Sequence, residues 1–151
     1  MEIDEILYYM IGVKDALLQE INSELQLGLI LKDVKLETVN EQLNQKRPEA
    51  RDVTKEICNM VSNEGNPLWL VNELHNYSKH RAMIGMAIVF QVNDGVGDLN
   101  RPPLIDPRTG VPMRDDNGIA IPIIEYLAGS LTTIEVLQKT VREKIRKYRR
   151  P

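Results

Sequence analysis

The chain has 151 residues, 42% of them hydrophobic, and a formal net charge of −3. That length and apolar content suit one domain, residues 1–151, with a sizeable core, and the near-neutral balance gives no global electrostatic case for a nucleic-acid binder. No apolar run approaches the roughly 18 residues that a membrane span needs, so no membrane partner is expected. The opening MEIDEIL is acidic and lacks the basic start of a signal peptide. A single cysteine, Cys58, permits no internal disulfide and fits a reducing cytoplasm.

In chain order, the first expected element is a long amphipathic helix over about Ile3 to Leu25. Ile6, Met10, Val13, Leu17 and Ile21 mark its buried stripe. Glu2, Asp4 and Glu5 cluster where the helix dipole favours anions, and Gly28 is the expected stop. Asp15, Glu20 and Asn22 are its notable polar residues. They form a solvated face, or Asp15 or Glu20 pairs with a cation on the fourth helix. Residues Leu29 to Leu36 read as a loop or a short extended piece. Thr38 to Gln45 reads as a short helix with Val39 and Leu43 inward. Pro48 then opens another, with Ala50, Val53, Ile57 and Met60 or Val61 at helical spacing. Cys58 belongs to it as a small residue facing a helix seam. SNEGNP, Ser62 to Pro67, is dense in turn formers and breaks the chain.

The central helix follows, from Pro67 to about Val89. Asn66 suits its N-cap and Pro67 its first position. Gln91 to Ala120 differs in kind, being rich in Gly, Pro and Asp, and reads as an insertion of about residues 91–120. Within it PLIDPRTGVPM suggests a hairpin, Leu104–Ile105 against Val111–Met113, turned by Asp106 to Gly110. Its aspartates do not have the spacing of a calcium-binding loop. Arg101, Arg108 and Arg114 are solvated, or reach over a neighbouring site or a partner. The last helix runs from about Ile121 to Tyr148 on a stripe of Ile124, Leu127, Leu131, Ile134, Val141, Ile145 and Tyr148. Its end, KTVREKIRKYRRP, is strongly basic. Those cations complement the helix C-terminus, or contact phosphates. The expected fold is therefore all-α: a bundle of four main helices plus a short one, with a loop and β-hairpin insertion before the last.

The central helix concentrates the polar chemistry. PLWLVNELHNYSKHR, Pro67 to Arg81, holds the only Trp and both His residues. Residues three and four apart share a helix face, so Glu73, Asn76, Tyr77 and His80 form one ridge and His75 and Lys79 a neighbouring one. His75 and His80 lie roughly 140° apart around a helix. That geometry is poor for one metal ion, and with a single Cys and no other His no zinc site and no cofactor is expected.

NYSKHR, with Asn76 four positions before His80 and Arg81 after it, resembles the second-helix signature of the HEPN superfamily. DALLQEIN, Asp15 to Asn22, resembles the opening helix of HEPN-like proteins. Members are small helical domains, often dimeric, and many are metal-independent ribonucleases. Their motif is Arg, four to six residues, then His, often with a polar residue just after the Arg. The resemblance implies that His80 matches the catalytic His and Asn76 the polar residue; His75 stands where the Arg belongs. His80 would then act as general base or acid toward an RNA 2′-hydroxyl, its ordinary pKa lying near neutrality. Asn76 would donate to a phosphate oxygen, with His75, Lys79 or Arg81 supplying positive charge. The structural alternative pairs His80 with a carboxylate such as Asp15 or Glu20.

Three functions follow as expectations. The first is a HEPN-like protein that binds or cleaves RNA, with an electropositive cleft around His80. The second is a non-catalytic helical interaction module, a homodimer or a partner in a larger complex, with His80 buried and an apolar patch on the first or last helix. The third is a small-molecule or nucleotide-binding bundle, for which no Gly-rich phosphate loop or Ser–His–Asp order is present. Whether the chain is an enzyme stays open between them.

Overall fold

A computed structural model describes residues 3–80 and 103–149, apart from the side chains of Asp4 and of residues 77–80. Among these residues the fold is all-α, with no strand. The helices are α1 (Ile3–Glu24), α2 (Leu36–Lys46), α3 (Lys55–Ser62), α4 (Pro67–His80) and α5 (Ile123–Tyr148). Short 3-10 turns occupy Leu31–Asp33 and Pro48–Val53.

The core is built from the stripes of α1, α4 and α5. Leu7, Met10, Val13, Leu17, Leu18 and Ile21 are buried from α1 and Leu25 just after it, Leu70, Val71 and Leu74 from α4, and Leu127, Ile134, Leu137, Val141 and Ile145 from α5. Met10, Val13, Leu17 and Ile21 of the expected α1 stripe and Leu127, Ile134, Val141 and Ile145 of the expected α5 stripe are buried, and the first member of each stripe differs. Leu7 is buried where Ile6 was expected, with Ile6 half-buried beside it, and Ile123 is buried while Ile124 is exposed. At a helix end a hydrophobic pair i, i+1 gives no periodic cue to choose between its members.

α1 and α5 run side by side in the same direction. Glu20 pairs with Arg142 at 3.0 Å and Glu24 with Arg149 at 2.9 Å, so the two helices advance together. Their C-terminal ends, each with unsatisfied carbonyls and a negative dipole end, meet at Arg47, the C-cap of α2. Arg47 is only 7% exposed. Its Nη1 donates to the Leu25 carbonyl at 3.3 Å, Nη2 to the Tyr148 carbonyl at 2.6 Å, and Nε to Glu49 at 2.6 Å. Lys46 adds a bond from Nζ to the Leu27 carbonyl at 2.5 Å.

α1 ends before Gly28. Gln26 takes the left-handed conformation, φ 55°, and the Leu27 N–H bonds to the Asn22 carbonyl at 3.0 Å and the Gln26 N–H to the Ser23 carbonyl at 3.2 Å. This is a Schellman stop built on a residue other than glycine. The Asn22 side chain then holds the departing chain by both of its polar atoms: Nδ2 donates to the Leu29 carbonyl at 2.9 Å, and Oδ1 accepts the Leu29 N–H at 3.0 Å.

The helix expected from Pro48 through Val61 is broken in two. Pro48–Val53 is a 3-10 turn, and α3 begins after Thr54. Thr54 donates its hydroxyl to Asn40 of α2, a tertiary bond that competes with continuation of the helix. Asn40 also donates to Cys58 Sγ at 3.3 Å, so the half-buried cysteine sits in this α2–α3 seam. Asn66 stands at the α4 N-cap by its backbone, its carbonyl accepting the Leu70 N–H at 3.0 Å. Its side chain turns back to donate to the Asn59 carbonyl at 3.0 Å.

Residues 103–122 make three extended legs. The Asp106 N–H bonds to the Val111 carbonyl at 2.8 Å, Met113 N–H to Leu104 at 2.8 Å and Ile121 N–H to Met113 at 3.0 Å. Pairing stops at isolated bridges, Pro103 with Pro122, Ile105 with Pro112 and Arg114 with Ala120. The proline at two of these three positions has no N–H to donate, so no strand ladder extends where the hairpin was expected. Leu104 and Ile105 are nevertheless fully buried and anchor the segment to the core. The expected continuation of the central helix to Val89, and the insertion over residues 91–102, lie outside the described residues.

Candidate interaction surface on the first helix

The stripe that buries one side of α1 leaves its opposite side to solvent. There Tyr8 and Tyr9 are 69% and 59% exposed. With Glu5, Gly12, Val13 and Ala16 of α1 and Gln138 of α5 they line an open, mostly apolar groove of about 750 Å³. Two adjacent large aromatics at such exposure are unusual for a helix in a monomer, because apolar surface left in water forgoes about 25 cal/mol per Å². The sequence carried a signal for this face. Tyr8, Tyr9, Gly12 and Ala16 fall outside the buried stripe, and a small residue recurs four positions after Gly12. The expected site residues did not include them.

Tyr8 also connects this face to α4. Its ring packs against the His75 ring, with centroids 5.9 Å apart and planes inclined at 52°. His75 is half-buried rather than a free surface histidine. Of the expected ridge on α4, Asn76 is exposed and Glu73 half-buried. Tyr77, Lys79 and His80 follow on the same helix, but their side chains, the whole of Arg81 and the electropositive cleft expected around His80 lie outside the described residues. Of the carboxylates considered as partners of His80, Glu20 pairs with Arg142 and Asp15 with Lys14 at 3.2 Å.

The basic residues at the end of α5 stay largely exposed, and several are engaged in ion pairs or hydrogen bonds. Arg142 and Arg149 pair with α1, and Lys144 donates to the Asp52 carbonyl at 3.0 Å and approaches Glu56 at 3.8 Å. Lys147 lies over the ring of Tyr148, 4.9 Å from its centroid. The solvent side of this helix mixes Glu135 and Glu143 with Lys139, Arg142 and Arg146, which gives no single-sign track for a phosphate backbone.

Arg108 does reach over a neighbour. Its guanidinium lies 5.6 Å from the centroid of the Trp69 ring on α4 and pairs with Glu64 at 2.5 Å and Asp106 at 3.4 Å. The Arg108 backbone N–H, donating to Asp106 Oδ1 at 2.8 Å, and the adjoining guanidinium hold the Asp106 carboxyl below its ordinary pKa. A latch of this kind joins the 103–122 segment to the start of α4.

Among the described residues no three or more His, Cys, Asp or Glu side chains gather as a metal site, and no helix is long and apolar enough to cross a membrane. Comparisons with protein-family models, curated proteins and solved structures find no match for this chain.

Proposed function

We propose that this chain is a non-catalytic helical interaction module of the cytoplasm, acting as a homodimer through the outer face of α1. The reading takes it as a single bundle of four main helices and a short one, with the 91–120 segment inserted before the last. The observation that carries it is the apolar groove beside Tyr8 and Tyr9. A patch on the first or last helix is what an interaction module needs and what a solvated nuclease surface does not. The second copy is the favoured occupant because the groove carries few charges, with Glu5 the one charged residue among the described residues of its lining, so an identical surface meets it with little like-charge repulsion.

Sedimentation velocity over a concentration series tests the reading. The expected result is a monomer–dimer equilibrium that Tyr8→Glu combined with Tyr9→Glu shifts to monomer without changing the helical circular dichroism. A chain that stays monomeric up to about 100 μM overturns it.

A second reading follows the HEPN resemblance: an RNA-binding protein or metal-independent endoribonuclease using His80, Asn76 and Arg81. It is supported by the exposure of Asn76 on α4. Incubation of the purified chain with end-labelled RNA in EDTA, beside His80→Ala, separates the two. Cleavage lost in the variant establishes the nuclease. Intact RNA, with a lower melting temperature for the variant, makes His80 structural.

A further inference from the structure

We propose that the Trp69 ring and the Glu64 carboxylate form a recognition site for an arginine side chain of a partner protein, and that Arg108 occupies it in cis as an autoinhibitory plug. This goes beyond the dimeric reading above and does not depend on it. The site lies where α3 gives way to α4. Glu64 stands in the break between the two helices, and Trp69 in the first turn of α4. Both are placed by contacts that owe nothing to Arg108. Gly65 turns the chain with a left-handed φ of 87°. The Asn66 N–H bonds to the Asn63 carbonyl at 3.1 Å, and Asn66 Nδ2 ties the break back to the Asn59 carbonyl of α3. An aromatic ring beside a carboxylate is therefore set in place whether or not a cation is present.

The occupant seen on this site is a guanidinium. It sits over the Trp69 ring, 5.6 Å from the centroid, while Nη1 reaches Glu64 at 2.5 Å. A planar, weakly hydrated cation can attract a ring and donate sideways to a carboxylate at once, which a compact ammonium does less well. The turn that delivers Arg108 is built separately from the site. Asp106 accepts the Arg108 N–H on Oδ1 at 2.8 Å, and its carbonyl accepts the Gly110 N–H at 2.7 Å, an Asx-type turn. Leu104 and Ile105 are fully buried and hold the base of the segment with the tip docked or free. The docked contact is open to water: the Arg108 and Glu64 side chains are 56% and 61% exposed, and an ion pair so exposed adds little to stability. A contact of this kind is exchangeable. A turn of a second protein that presents arginine after an aspartate offers the site the same donors, and docking it frees the 106–110 tip.

Trp69 is the only tryptophan of the chain, so its emission reads the site directly. The probe is a capped hexapeptide with the sequence of residues 105–110, IDPRTG. It is titrated into the full-length parent and into Arg108→Ala, beside the same peptide with lysine in place of arginine and beside free L-arginine. In the variant the arginine peptide is expected to return the Trp69 emission toward that of the parent, saturably. Its half-saturation is expected to lie about fivefold or more below that of the lysine peptide. The parent is expected to need about tenfold more peptide, because the tethered Arg108 competes at an effective concentration of about millimolar or above. Glu64→Gln in the Arg108→Ala background is expected to weaken binding about fivefold, with the helical circular dichroism of every variant matching the parent. No saturable change in Arg108→Ala up to about 20 mM peptide, equal binding of the arginine and lysine peptides, or indifference to Glu64→Gln would overturn the site. Equal binding by parent and Arg108→Ala would overturn the occupancy in cis. Free L-arginine binding as well as the hexapeptide would overturn the partner protein as the source of the guanidinium.

Discussion

Arg47 donates to the carbonyl of Tyr148, 101 positions further along the chain, at 2.6 Å. The same guanidinium serves Leu25 at the end of α1. Two parallel helices place like dipole ends together, and an uncompensated pair of C-termini repels and leaves carbonyls without donors. Arginine suits this point because its planar fork presents several donors in fixed directions and keeps its charge. Arg47→Ala is expected to destabilise the fold by about 3 kcal/mol, since hydrogen bonds to charged groups and the orphaned buried carbonyls are lost together. Arg47→Lys is expected to recover less than half of this, because one ammonium cannot span three acceptors. Urea unfolding of the three proteins measures it. Equal stability of the Lys variant and the parent would show that charge alone suffices.

Asn22 supplies a donor and an acceptor to the same residue, Leu29. Asn22→Asp keeps the shape and removes the donor, setting a carboxylate oxygen against a carbonyl. A loss of about 1–3 kcal/mol is expected. Hydrogen exchange should show the Leu29 amide deprotected first, before the core of α1 opens.

Among the described residues Gln26 is the one non-glycine residue with a positive φ. Its φ of 55° costs a residue with a Cβ about 1 kcal/mol, and glycine adopts it freely. Gln26→Gly is expected to raise the unfolding free energy by up to about 1 kcal/mol, against the usual direction of a glycine substitution. A decrease would mean that the Gln26 side chain contributes more than its strain.

The latch over Trp69 is readable by fluorescence, because Trp69 is the chain's only tryptophan. Arg108→Ala is expected to shift its emission to the red and make it easier to quench with iodide, with little change in global stability, as the Arg108–Glu64 pair is solvent-exposed. The parent should lose the same contact in acid. Asp106 has a folded pKa below its ordinary value of 3.8, chiefly through the Arg108 backbone N–H. Its contribution is therefore present above pH 3.8 and is lost as pH falls through the lower folded value. An emission change restricted to that acid range, and missing in Asp106→Asn, is the expected outcome.

The long elements were legible in the sequence because local patterning sets them. The stripe of Met10, Val13, Leu17 and Ile21, the turn formers of SNEGNP and the run from Leu127 to Tyr148 each specify a helix or a break without reference to distant residues. Three features depended on the fold instead. Thr54 ends a helix through a bond to Asn40, a residue fourteen positions away. The cations of α5 meet the carboxylates of α1 only because the two helices run parallel. Tyr8 and Tyr9 become a surface, rather than more of the core, because the Leu7–Met10 side of α1 is the one that faces α4 and α5. Period and propensity are properties of neighbouring residues. Which face is covered, and which charge finds its partner, is set by contacts between elements distant in sequence, and these only the tertiary structure decides.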